Sequence, residues 1–365
     1  MRKVACLLLA SLGIFSFIFA SSQKRFPHKI GIMLASLPSE YWWYEKNEME
    51  MLEGFLKQVR KEGVQFIRLL LYYPVNSISQ VNIRKNGVYA PFKVNRQLKA
   101  FNLGAFEERY WRGFRRTLLL LRKYSIIPVV SVLDYPERHR EISRHKSFWF
   151  VNVQGLKGFR DRRFVGFARL LVKKTVREAK NVLGNRWYLE LGNEFSFPGS
   201  EIILRSLMLS VTEELGFPVN KIIVPFSPKY DGFKNLVFCS ASKGQVRWKW
   251  KIIPAYHFST LEAFAADCRR PEWKWMMDRF HVFFFSTDGF QGDKKDKKLV
   301  LKLLNMAFQE VVVKKHKTLI FEEQPAWIGE RRKIDNFFLM HSLFLMPKGW
   351  IASLREEMIK LQYQD

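Results

Sequence analysis

A chain of 365 residues with 48% hydrophobic residues, including 33 Phe and 11 Trp, can bury a large core in one domain. Its formal net charge of +27 favours polyanionic partners such as acidic polysaccharide, nucleic acid or anionic lipid. The basic residues are spread over several predicted helices (Lys173-Lys174, Lys297-Lys298), whereas nucleic-acid binders gather them on one face, so no nucleic acid is expected. Three cysteines exclude a disulfide scaffold, and the chain has no CxxC, HExxH, GxGxxG or GxxxxGK[ST] pattern, so neither a resident metal nor a nucleotide cofactor is expected.

In chain order, Arg2 and Lys3 precede an apolar run over 4–19 and the small residues Ala20, Ser21 and Ser22. That is the layout of a signal peptide over 1–22, or of an uncleaved membrane anchor, and it leads to the expectation of a secreted or periplasmic protein. The remainder, 23–365, shows no linker or repeat and reads as a single domain. A strand is predicted at 29–35, a helix at 45–62 closed by Gly63, and a strand at 64–73. Residues 74–105 read as a long rim loop, followed by a helix at 106–124, a strand at 126–135, a helix at 162–183 with Gly184, and a strand at 187–195. A helix at 201–215 with Gly216 and a strand at 221–227 complete five β/α units.

Beyond this point two strand counts are open. Strands six, seven and eight are 250–258, 281–287 and 317–323; or 236–258 is an insertion, 281–287 and 317–323 are six and seven, and 349–353 closes the barrel. Helices are predicted at 260–279, 294–315 and 331–346. Both counts give an α/β fold, a (β/α)8 TIM barrel with extended rim loops.

The stretch Trp187-Tyr188-Leu189-Glu190-Leu191-Gly192-Asn193-Glu194 ends a short apolar strand on Asn-Glu. Parallel barrels carry their catalytic groups at the C-terminal ends of strands. Two carboxylates flanking a glycosidic bond can hydrolyse it without a cofactor. Taken alone, Gly192-Asn193-Glu194 also fits an ordinary polar turn.

The sequence resembles the retaining β/α-barrel glycoside hydrolases of clan A, the cellulase, mannanase and xylosidase superfamily. "NRWYLELGNEF" is similar to that family's fourth strand, and "EGFLKQVRKEGVQFIRLLL" to its first helix, Gly turn and Arg-bearing second strand. The resemblance implies Glu194 as acid/base, Asn193 as a substrate-binding or orienting neighbour, and Arg68 as support for the nucleophile. "KTLIFEEQPAW" resembles the nucleophile strand, which points to Glu323; Glu322 is its neighbour, and strand alternation lets one of the two face the axis. Gln324-Pro325 depart from the family's usual aromatic-Gly.

This match belongs to the second strand count, whereas Tyr256 and His257, similar to a His/Tyr near the nucleophile on strand six, belong to the first. Asp288 competes with Glu323 for the nucleophile position, and Asp134 ends strand three. Trp42, Trp43 and Trp327 follow strand ends and are candidate sugar platforms. Burial is expected to raise the pKa of Glu194, and Arg68 to keep Glu323 ionised.

The expected partner is an oligosaccharide or polysaccharide, anionic or neutral, with membrane contact only through the N-terminal segment. Two alternatives remain: a non-catalytic barrel binding an anionic glycan at the cell envelope, and a metal-dependent hydrolase using Asp134, His257 and Asp288.

Overall fold

The computed structural model describes residues 30–34, 46–71, 91–95, 100–133, 162–193, 200–226, 238–239, 247–248, 253–258, 260–270, 280–285, 297–315, 317–321, 324–325, 345–346, 352–353 and 356. Eight parallel strands close into a barrel: β1 (Ile30–Leu34), β2 (Phe66–Leu70), β3 (Ile127–Ser131), β4 (Tyr188–Glu190), β5 (Ile222–Phe226), β6 (Ile253–Phe258), β7 (Val282–Phe285) and β8 (Thr318–Phe321). Each strand pairs with its neighbour in the chain, and β8 closes on β1 through Ile30↔Leu319 and Ile32↔Phe321.

The first strand count is therefore the observed one. Residues 318–321 form strand eight, not seven. Of the residues 349–353 that the second count uses to close the barrel, the described ones, Ala352 and Ser353, are helical. Phe238–Cys239 and Arg247–Trp248 pair with each other as a small antiparallel hairpin outside the barrel. The helix expected at 331–346 lies outside the described residues except at Leu345–Met346, which pairs with Gln324–Pro325 as a short strand. The leader expected over 1–22 also lies outside them. Among the described residues, no helix is long and apolar enough to cross a membrane.

The helices are α1 (Lys46–Lys61), α2 (Glu108–Lys123), α3 (Arg162–Leu183), α4 (Ser200–Leu209), α5 (Leu261–Arg269) and α6 (Lys297–Phe308). α2 shows why they form: Tyr110, Phe114, Thr117, Leu118 and Leu121 recur at helical spacing and are all buried. The Glu107 carboxylate accepts from the Arg109 amide at its start, and Arg122 and Lys123 complement the dipole at its end. Gly63, Gly184 and Gly216 take positive φ after α1, α3 and the π-helical turn that continues α4, which is where glycine stops a helix at least cost. After α2 that position falls to Ser125, at φ 54°.

The rim segment 74–105 is not wholly loop. Phe92–Asn95 and Ala100–Phe106 form an antiparallel hairpin. Phe92 stacks on Phe106 at 5.1 Å and meets Phe167 of α3, while the Trp111 indole donates to the Pro91 carbonyl at 2.9 Å. The hairpin is thus anchored on α2 and α3.

The core has two parts. Helix-facing strand residues such as Ile32, Ile67, Val130, Leu189, Val224, Phe283 and Phe321 pack against the helices. Phe66, Val129, Ile223, Ala255, Val282, Phe284 and Ile320 fill the barrel itself. Gly31 lets β1 fit between its neighbours, since a Cβ there would stand 2.8 Å from Ile320 Cγ1 and 3.0 Å from Phe66 Cβ. Gly31→Ala is therefore expected to lower unfolding free energy by about 1–3 kcal/mol through overpacking, read as a lower denaturation midpoint at unchanged m.

Outside the barrel, ion pairs absorb part of the positive charge. Glu178 of α3 takes Arg115 at 2.9 Å and Lys174 at 2.5 Å. Glu214 takes Lys173 and, at 2.7 Å, Arg169. The Lys173 and Arg169 hydrogen bonds hold the Glu214 carboxyl at about 2, down from 4.5. A depressed carboxylate contributes stability above its unfolded value and loses it as pH falls through the folded one. Relative to wild type, Glu214→Gln should flatten the loss of Tm between about pH 4.5 and 2. Added salt should shrink the difference, because the carboxylate is exposed.

Candidate functional site at the end of strand four

Alternation along β2 and β4 decides which side chains enter the barrel. Ile67, Leu69 and Leu189 belong to the helix-facing core, and Phe66 and Tyr188 sit in or against the interior cluster, with ring centroids 6.0 Å apart. The next interior positions toward the C-terminal ends are Arg68 and Glu190. Both are fully buried, in a region where an isolated charge would be very costly.

They meet as a two-pronged ion pair. Arg68 Nε donates to Glu190 Oε2 at 2.7 Å and Nη2 donates to Oε1 at 2.5 Å. Nη2 also donates to Asn193 Oδ1 at 2.7 Å. The guanidinium carbon lies 4.1 Å from the centre of the Phe284 ring on β7, and Nη1 reaches the Met33 sulfur on β1 at 3.6 Å. One arginine thus touches residues of β1, β4 and β7, and the apolar layer beneath it shuts out water.

The backbone fixes the strand end as well. Val132 N donates to the Glu190 carbonyl at 3.0 Å and Asn193 N to the Leu133 carbonyl at 2.7 Å, so pairing with the chain leaving β3 continues past the last residue of β4. Asn193, the residue before Glu194, is held by its backbone and by its side chain. Ser131, paired in register with Glu190, is also buried, and its hydroxyl has no hydrogen-bond partner among the described residues.

Of the residues singled out by sequence, Arg68 and Asn193 come together in this network. His257 stands in β6, paired in register with Phe284. Tyr256 is not at the mouth: it faces the helices, where its hydroxyl donates to Asp267 of α5 at 2.5 Å, and burial followed by that bond pushes its pKa up. Glu194, Glu322, Glu323, Asp134, Asp288, Trp42, Trp43 and Trp327 lie outside the described residues. The pairing that carried Glu323 needed 317–323 to be strand seven, and that premise does not hold.

Sequence reasoning missed Glu190. Its signal was present: Leu189 and Leu191 flank it, so a period of two that turns the leucines toward the helices turns Glu190 inward. Removing one partner of such a pair leaves an uncompensated buried charge. Arg68→Met alone is expected to cost about 3–5 kcal/mol of stability, measured by denaturant unfolding.

No family model matches the chain, and no curated protein matches it significantly. Solved structures do match in shape. An exo-β-1,4-mannosidase from an Opitutaceae bacterium, strain TAV5, aligns at 10% identity over 91% of this chain and 60% of that one, with a TM-score of 0.53. A glycoside hydrolase family 5 mannosidase from Rhizomucor miehei aligns at 12% identity over 92% of this chain and 94% of that one, with a TM-score of 0.51. At such identities the likeness is one of fold: the chain shares the (β/α)8 barrel of these two structures.

Proposed function

We propose that the protein is a glycoside hydrolase whose acid/base is Glu194. The observation that carries this reading is the bond from Arg68 to Asn193. It spends a fully buried, doubly anchored arginine on holding the residue next to Glu194 at the C-terminal end of β4. Fixing a group near its productive geometry is a main source of catalytic rate, and this end of a barrel is where enzymes use it. The two structural neighbours named above are mannosidases, so β-mannosides are the first substrates to test.

The partner carboxylate comes from the end of β8 in this proposal. Ile320 belongs to the interior cluster and Phe321 to the helix-facing one, so continued alternation favours Glu322 over Glu323 as the nucleophile. Asp288, three residues after β7, is the competitor. In the retaining route Glu194 protonates the leaving oxygen, the second carboxylate attacks the anomeric carbon, and Glu194 then takes a proton from the water that releases the sugar.

One observation favours a second reading, a barrel that binds an anionic glycan without cleaving it. β7 ends at Phe285 and is followed by Ser286-Thr287-Asp288, with no glutamate where the resembled family carries its nucleophile.

The deciding experiment compares Glu194→Gln, Glu322→Gln, Glu323→Gln and Asp288→Asn on a panel of β-linked oligosaccharides. Glu194→Gln and one of the other three should each lower kcat by about 10²–10⁴ while leaving Tm near wild type. Undiminished hydrolysis by Glu194→Gln would eliminate the assignment. Tight glycan binding without turnover by wild type would favour the second reading.

A further inference from the structure

Glu190 has no place in the two-carboxylate chemistry, yet among the described residues it is the most deeply buried carboxylate and takes two of the Arg68 hydrogen bonds. Arginine on β2 can reach Asn193, beyond the end of β4, only by crossing the interior past β3, which lies between those strands. A long, flexible side chain does not hold such a course unaided. The bidentate grip of Glu190 sets the plane of the guanidinium, and the Phe284 ring and Met33 sulfur flank it.

Charge matters as much as direction. Glu190 cancels the positive charge of Arg68 at close range, so the network beside Asn193 is an ion pair, not a bare cation.

We infer that Glu190 is a positioning residue of the site: it aims Arg68 at Asn193 and neutralises the guanidinium, which leaves the adjoining Glu194 able to keep its proton and act as an acid. This role rests on the proposed glycosidase reading. It accounts for an ionic network where an apolar barrel layer would pack as well.

The test uses Glu190→Gln and the double variant Arg68→Met/Glu190→Leu. The double change removes both charges together, which buried ion pairs tolerate far better than loss of one partner. It is expected to keep a Tm near wild type, to release the Asn193 side chain from its place in a crystal structure, and to lower kcat/KM on a β-mannoside by about 100-fold.

In Glu190→Gln the bare guanidinium favours the ionised form of Glu194. The basic limb of the kcat/KM profile is then expected to move down by about one pH unit. An unmoved Asn193 in the double variant, or an unmoved basic limb in Glu190→Gln, would overturn the inference. If the double variant does not fold, the pH profile of Glu190→Gln decides. Wild-type protein inert on every glycan would sink the proposed function alone, and a guanidinium still bonded to Asn193 in a crystal structure of Glu190→Gln would then overturn the role of Glu190.

Discussion

The interior depends on a charge that cannot be left unpaired. Arg68 is fully buried above a layer of Phe, Val, Ile and Ala side chains, where water cannot screen it. Its pairing with Glu190 requires β2 and β4 to keep their relative height in the barrel, because both prongs of the guanidinium must meet both carboxylate oxygens. The ion pair is therefore weak as a source of net stability and strong as a constraint on geometry. What it constrains is the end of β4, where Asn193 is tied by its side chain to Arg68 and by its backbone to Leu133.

The surrounding architecture serves the same end. Gly31 admits β1 into a crowded place beside Phe66 and Ile320, so the barrel closes tightly below the ion pair. On the outside, α2 and α3 press their apolar faces on the strands and carry much of the positive charge outward, with Glu178 and Glu214 binding four of the cations. Charge at the surface stays in water, while inside the barrel Glu190 balances Arg68.

Much of the barrel was legible in the sequence, for physical reasons. Short aromatic and branched runs such as Val282–Phe285 announce buried parallel strands, and glycines after helices mark their ends. The strand count was harder because the segment between β5 and β6 carries a small hairpin at Phe238–Cys239 and Arg247–Trp248, where a simple β/α unit would have a helix. The hairpin at 92–106 escaped notice because its connection, Arg96-Gln97-Leu98-Lys99, lacks the Asn-Gly or Asp-Gly turn that makes hairpins easy to see. At the site, Arg68 and Asn193 were picked out by resemblance to known strands, but their partner was not. Glu190 lies four residues before the more conspicuous Glu194, and only the three-dimensional crossing from β2 to β4 shows why it is there.

The most direct test of a glycosidase site at this strand end is to follow the anomeric proton of the first-formed product by NMR. Wild-type protein would be mixed with β-linked manno-oligosaccharides and the product read before mutarotation. A product released in the β configuration is expected, the outcome of double displacement by two carboxylates. An α product would contradict the retaining route. No product from any β-linked glycan, under conditions where the protein is folded, would contradict the glycosidase reading itself.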